Sequence, residues 1–312
     1  MFVQEAAQHG AAAVEGHAGK FDAGETIIHH VANSSINEPL IHLPRILGID
    51  FSVTKHVLML WLVAATLFVV VTWAVRRYLK QNRMIPSGFM NGLEAVVEFV
   101  RDEIVQPNVG RMWVSTWAPL MLTLFFFILG ANLMGLFPVF DVLGLLDHFV
   151  LHTGEHSFVK QLLHGGTTAT ANFNVTAALA TITFGAIIIA GSKAHGIVKH
   201  WMNLVPHGLA WPIYILLIPI EIMGMFVRPF ALTMRLAANM TGGHIAILAI
   251  LSFVFLFTEM AGAAVGVGVG LIASVPLAVC ISGLEIIVVL VQAYVFTLLT
   301  AVFIGMAIHV HH

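Results

Sequence analysis

The sequence predicts an all-α, polytopic integral membrane protein with about five membrane-embedded helices and one amphipathic helix on the membrane surface. Three observations predict it. Of 312 residues, 59% are hydrophobic and only 10% are charged, against roughly 25% charged in soluble domains. The few charges flank long charge-free runs, each near the roughly 20 residues that cross a hydrocarbon core. Phe outnumbers Tyr by 22 to 3, as suits rings that meet lipid or protein rather than water. The net charge of −2 argues against a nucleic-acid binder, which needs a basic face. The single cysteine, Cys280, excludes an intramolecular disulfide.

Residues 1–55, rich in Ala, Gly, His and acids, have no apolar run before Ile41 and read as an extramembrane segment, with a short helix around Glu25 to Asn33. They lack the pattern of a secretory signal or a transit peptide. The membrane domain is expected over 56–308, its first span at about 57–75. From Ser87 to Val105, Leu93, Val96, Val97 and Val100 alternate at helical spacing with Glu94, Glu98, Arg101 and Asp102. That pattern fits a helix lying in the membrane interface. A second span is expected at about 113–138, then a polar, His-bearing loop from Asp141 to Thr170, then a third span at about 172–192. Beyond Lys199 the chain is apolar almost to its end and reads as a long helical hairpin, about 207–258 and 276–308, followed by a His-rich tail at 309–312. Pro206, Pro212, Pro219 and Pro229 open the hairpin, each able to free a backbone hydrogen bond.

Lys and Arg are biased to one side. Arg76, Arg77, Lys80, Arg83, Arg101, Arg111, Lys193 and Lys199 would share it, against Lys20, Arg45, Lys55 and Lys160 opposite. The positive-inside rule then places the N-terminus outside and the C-terminus in the cytoplasm.

Five charges interrupt the last hundred residues: Glu221, Arg228, Arg235, Glu259 and Glu285. A charge at the bilayer centre costs about 2.5–3.5 kcal/mol on insertion scales, so those held at depth carry the functional argument. Arg235 cannot release its proton and serves as a fixed cation; His244 and Glu285 can relay protons. In an antiparallel hairpin, residues equidistant from the turn face each other. Arg235 with Gln292, and His244 with Glu285, are both nearly symmetric about residue 264, within the Gly-rich stretch 262–270. One register therefore serves a permanent cation at one depth and an imidazole–carboxylate pair at another. That arrangement suits ion passage better than bond-making chemistry.

Asn239 follows Arg235 by one helical turn and reads as interhelical glue or as a residue shaping the arginine's surroundings. Glu221 and Arg228, seven apart on one helix face, read as a structural pair. Gly262, Gly266 and Gly270 at four-residue spacing read as a close-packing face rather than a phosphate loop, since no strand precedes them. No metal site is assigned to the His-rich segments, and no His-Glu-x-x-His motif of a metalloprotease occurs. Haem ligation would need paired histidines at depth, where only His244 lies. A proton-coupled secondary transporter is the alternative reading; no sequence repeat supports it.

The segment Met-Arg235-Leu-Ala-Ala-Asn239-Met-Thr-Gly-Gly-His244, with Glu285 and Gln292-Ala-Tyr-Val-Phe, resembles subunit a of the F-type ATP synthase. Asn132-Leu-Met-Gly-Leu-Phe-Pro138 and Thr170-Ala-Asn-Phe-Asn174-Val-Thr176 are similar to further signatures of that family, and the resemblance spans roughly 55–308. It implies a non-catalytic, proton-translocating stator subunit of a bacterial inner membrane. The hairpin would face a rotating c ring, with Arg235 opposite the ring carboxylates and two half-channels leading to them. It also implies a b-type peripheral-stalk subunit and the remaining synthase subunits as partners, a lipid bilayer, and no cofactor or nucleic acid. Arg235, His244, Glu285, Gln292 and Asn239 are the expected translocation residues, with Asn172, Asn174 and Glu221 as half-channel lining. The chain departs from the common pattern in three ways. Ala238 stands where Gly is usual, Asn172 where many members have Asp, and His244 with Glu285 resembles an exchange of the usual acid and histidine.

Overall fold

A computed structural model describes Gly24 and residues 52–80, 87–136, 169–202 and 211–309. The expected helix near 25–33, the loop at 141–168 and the tail beyond His309 lie outside the described residues. Five helices are long and apolar enough to cross a membrane: His56–Lys80, Val114–Leu136, Phe173–His195, Ile213–Ala261 and Ala263–Ile308.

Helix α1 (Lys55–Lys80) begins after a short extended stretch and ends on Arg77 and Lys80, cations that complement the negative helix C-terminus. The surface segment starts at Gly88, in the left-handed region at φ 66°, and runs as α2 (Phe89–Glu98), a π-helical stretch (Phe99–Val105) and α3 (Gln106–Val109). The π stretch widens the turn and re-phases the side chains, so that Val100, Ile104, Val105 and Val109 are all buried. Its apolar face thus meets protein, while Arg101 and Asp102 pair at 2.8 Å on the outer side.

Helix α4 (Val114–Leu136) takes Pro119 in its first turns, and Gly130 lets Leu67 of α1 lie against it. Helix α5 (Phe173–His195) is capped at its start by Asn172, whose side-chain oxygen accepts from the Asn174 N–H at 2.8 Å. It stops at Gly196, φ 85°, and α6 (Ile197–Met202) turns back so that His200 packs on Gly191.

Helix α7 (Trp211–Ala261) is continuous for 51 residues through Pro219 and Pro229, so the backbone hydrogen bonds that these prolines forgo do not end it. The Thr233 hydroxyl donates to the Pro229 carbonyl at 2.9 Å, a local side-chain bond beside the gap that the proline leaves in the backbone ladder. Gly262, φ 91°, is the break. Helix α8 (Ala263–Val269), a π-helical stretch (Gly270–Ser274) and α9 (Val275–Ile308) follow without interruption. The second arm of the hairpin therefore starts at Ala263 rather than near 276, because the Gly-rich stretch is itself helical.

Two compact units emerge from the contacts. The larger comprises Asn33–Gly243 with Gly283–His312, its core built from α2–α3, α4, α5, the middle of α7 and the second half of α9. Phe296, Ile104, Met121, Ile128, Leu232, Leu236 and Ile304 are its largest fully buried side chains. In lipid the hydrophobic effect does not drive helices together, so tight packing and polar links must do so. Ala293, Ala301 and Gly305 provide the close approach on α9, Gly305 lying against the Asn108 backbone. Thr183 and Thr300 link α5 to α9 at 3.4 Å.

The smaller unit contains His244–Ser282. In it Gly266 lies on Thr258 and Gly270 on Val254, two contacts symmetric about Gly262. The glycines at four-residue spacing are the packing face of this hairpin tip.

Candidate functional site: the arginine face of α7

The polarity of α7 around Arg235 follows from its sequence. Leu232, Thr233, Leu236, Ala237 and Met240 are buried in the core of the larger unit. Ala231, Met234, Arg235, Ala238, Asn239 and Gly242 are exposed, at spacings of three and four that place them on one face. Arg235 thus projects from a strip of small residues. Among the described residues no carboxylate or hydrogen-bond acceptor engages its guanidinium. Isolated charge on a membrane-spanning helix is costly, and among the described residues nothing offsets that of Arg235.

The register shows itself in two places within the larger unit. The Asn239 side-chain amide donates to the Gln292 oxygen at 3.0 Å. Glu285 sits against Gly243: a Cβ placed on that glycine would lie 2.6 Å from Oε1 and 2.9 Å from Cδ. The Gly243–Glu285 approach is symmetric about residue 264, but Gln292 meets Asn239 rather than Arg235. The simple hairpin register thus fails for the arginine by about one helical turn. A glutamine side chain is long enough to bond one turn away from the residue that its backbone faces, so the facing register does not fix its polar partner.

Glu285 and Gln292, seven residues apart on α9, are 5% and 4% exposed. The Gln292 nitrogen is buried without a hydrogen-bond partner among the described residues, and so is poised as a donor beside the arginine face. His244 is half-buried and opens the smaller unit.

The remaining candidates have local partners. Glu221 pairs with Arg228 at 3.3 Å, and that guanidinium lies over the Phe303 ring at 5.6 Å. The Asn172 oxygen is committed to capping α5, accepting from Asn174. Next to them runs a polar thread that sequence reasoning left without a role. Buried Thr170 donates to the Asn132 oxygen at 2.7 Å, and Thr241 of α7 donates to the Ala171 carbonyl at 3.5 Å. The signal was there, since Asn132 and Thr170 stand in the quoted motifs. Gly243 was likewise quoted without a function; only its close approach to Glu285 explains why that position has no side chain.

The family model described as ATP synthase A chain matches residues 57–305. ATP synthase subunit a 2 of Prosthecochloris aestuarii is 39% identical over 308 residues, covering 96% of this chain and 84% of the relative. ATP synthase subunit a 2 of Chlorobium luteolum is 40% identical over 293 residues (91% and 76%), and ATP synthase subunit a of Anaeromyxobacter dehalogenans is 38% identical over 331 residues (98% and 76%).

Proposed function

The chain belongs to the ATP synthase subunit a family, the proton-channel stator of the F-type enzyme, and we propose that its arginine face on α7 meets the c ring. It is a multi-pass membrane component of the synthase complex; a free-standing secondary transporter is not favoured. The observation that carries the ring contact is Arg235, exposed among Ala231, Ala238 and Gly242 with no internal counter-ion among the described residues. Small neighbours let a partner helix approach until its carboxylate reaches the guanidinium.

In this reading a proton reaches the membrane interior through one half-channel near His244 and Glu285 and neutralises a ring carboxylate. The ring turns, and the proton leaves by the second half-channel. Arg235 attracts the carboxylate only once it is ionised, so it separates the two paths without carrying protons itself. Asn239 and Gln292 hold the α7–α9 seam beside the arginine and offer a donor to the same carboxylate. Asn172, Asn174 and Glu221 form polar walls of the access paths, Glu221 with its carboxylate held by Arg228. A charge falling through 100 mV releases about 2.3 kcal/mol, so several protons must be pooled for each ATP. The chain itself takes no part in nucleotide chemistry; its one Gly-rich run is helical and packed on Thr258 and Val254. A b-type stalk subunit is the further partner, the bacterial inner membrane is the location, and the N-terminus faces outside with the C-terminus in the cytoplasm, as the Lys and Arg bias supports.

Cysteine cross-linking in the assembled complex tests the face. Ala231→Cys and Ala238→Cys are expected to form disulfides with cysteines placed beside the ring carboxylate, and Leu236→Cys on the buried face is not. Assembled complexes in which Leu236→Cys cross-links and the other two do not would overturn the assignment.

A further inference from the structure

The end of α1 carries a feature that ion translocation does not use. Phe68, Val69, Thr72, Trp73, Arg76 and Lys80 line a groove of about 660 Å³. These positions recur at four-residue steps, so they form one face of the helix. Phe68, Val69 and Trp73 are largely exposed, and the basic residues follow them at the helix end. From Val69 to Lys80 the helix rises about 16 Å, so the face changes from apolar to cationic over roughly the length of a lipid headgroup and upper acyl chain.

A second recess of about 370 Å³ adjoins it, sharing Trp73 and Arg77 and bounded by Tyr78, Ser87, Gly88 and Phe89. The Arg77 guanidinium lies over the Trp73 ring at 5.2 Å, which fixes the cation between the two spaces. The N-terminus of α2 opens onto this recess with no side-chain cap, and its free N–H groups favour an anion. Among the described residues no carboxylate pairs with Arg76, Arg77 or Lys80. Three cations, an uncapped helix start and an exposed apolar strip converge on one place.

We propose that this groove binds an anionic glycerophospholipid of the surrounding bilayer. Its phosphate would sit among Arg76, Arg77, Lys80 and the start of α2, and an acyl chain would lie along Trp73, Val69 and Phe68. Bound there, the lipid bridges α1 to the surface segment, which in turn packs on the core that holds α7 and α9.

The test uses the whole purified complex in nanodiscs of phosphatidylcholine, doped with a diazirine-bearing phosphatidylglycerol or with the same diazirine on phosphatidylcholine. Labelling of the peptides containing Phe68–Lys80 and Ser87–Met90 is read by mass spectrometry. The anionic probe is expected to label these peptides about ten-fold more than the zwitterionic one, given the attraction of clustered basic residues for anionic lipid. Arg76→Gln with Lys80→Gln should remove most of that preference, and inorganic phosphate should not compete. Equal labelling by the two probes in the wild-type complex overturns the proposal, whatever the variant does. So does complete competition by phosphate, which would mark a free-anion site. Absence of labelling by either probe would mean that another subunit fills the groove, and it too overturns the proposal.

Discussion

Gly243→Ala is the substitution whose consequence can be worked most closely from the structure. The added methyl would stand 2.6 Å from Glu285 Oε1 and 2.9 Å from its Cδ, where about 3.4 Å or more is comfortable, so the carboxylate must move by roughly 1 Å. Glu285 is 5% exposed and has little room to move freely. A side chain forced off its rotamer costs about 0.5–1.5 kcal/mol, and overpacking a filled site about 1–3 kcal/mol. Against this, alanine in a helix interior is favoured over glycine by about 0.5–1 kcal/mol. The helix gain offsets only part of the strain, so the variant should lose up to about 3 kcal/mol of stability, and its pumping must be read per assembled complex. Placement is another matter, since a 1 Å error at a working group costs up to about 100-fold in rate. ATP-driven proton pumping in inverted vesicles, normalised to assembled complex, should therefore fall by at least about ten-fold. Glu285→Asp in the same chain draws the carboxylate back by one methylene and should restore part of the activity. Gly224→Ala, on the same helix with open space around it, serves as the control. Wild-type pumping by Gly243→Ala would refute the reasoning.

Three further outcomes are expected. Asn239→Ala leaves the buried Gln292 oxygen without its donor and should lower thermal stability of the complex by about 1–3 kcal/mol, a loss that adding Gln292→Leu should lessen. Burial, reinforced by the charge of nearby His195, holds the His200 imidazole below its ordinary pKa of about 6.5. The unfolded chain then binds the extra proton first, so the packing of α6 on α5 is fully stable above pH 6.5 and weakens as pH falls below it. Thermal melts at pH 7.5 and 5.5 should diverge less for His200→Gln than for the wild type. Gly266→Ala would put a methyl 2.8 Å from the Thr258 Cα, a backbone atom that cannot swing aside, whereas Gly268 faces open space. Yields of assembled complex should drop for the first and hold for Gly268→Ala.

The spans were legible because lipid imposes a coarse rule, about 20 apolar residues without charge, that any sequence displays openly. Arg235 was legible for the same reason: a guanidinium in such a run must be accounted for. The end of the hairpin was read less well. Nine residues rich in glycine look like a turn, yet only Gly262 takes the left-handed conformation and the rest are helical. Helix packing in lipid rewards small residues, so glycine there signals close approach as often as a bend. The pairing of Gln292 with Asn239 was hidden because a long side chain can bond one helical turn away from the residue that its backbone faces. Gly243 was invisible in principle: a residue whose role is to leave space for Glu285 has no side chain from which that role could be read.

The central claim is that Arg235 is a fixed cation that keeps two proton paths apart at the ring. Its most direct test is proton flux through the membrane sector with the catalytic head removed, measured for Arg235→Ala beside ATP-driven pumping by the intact variant complex. The account predicts that pumping is abolished while passive proton leak persists or rises, because nothing then separates the paths. Pumping at the wild-type level with Arg235→Ala would contradict it.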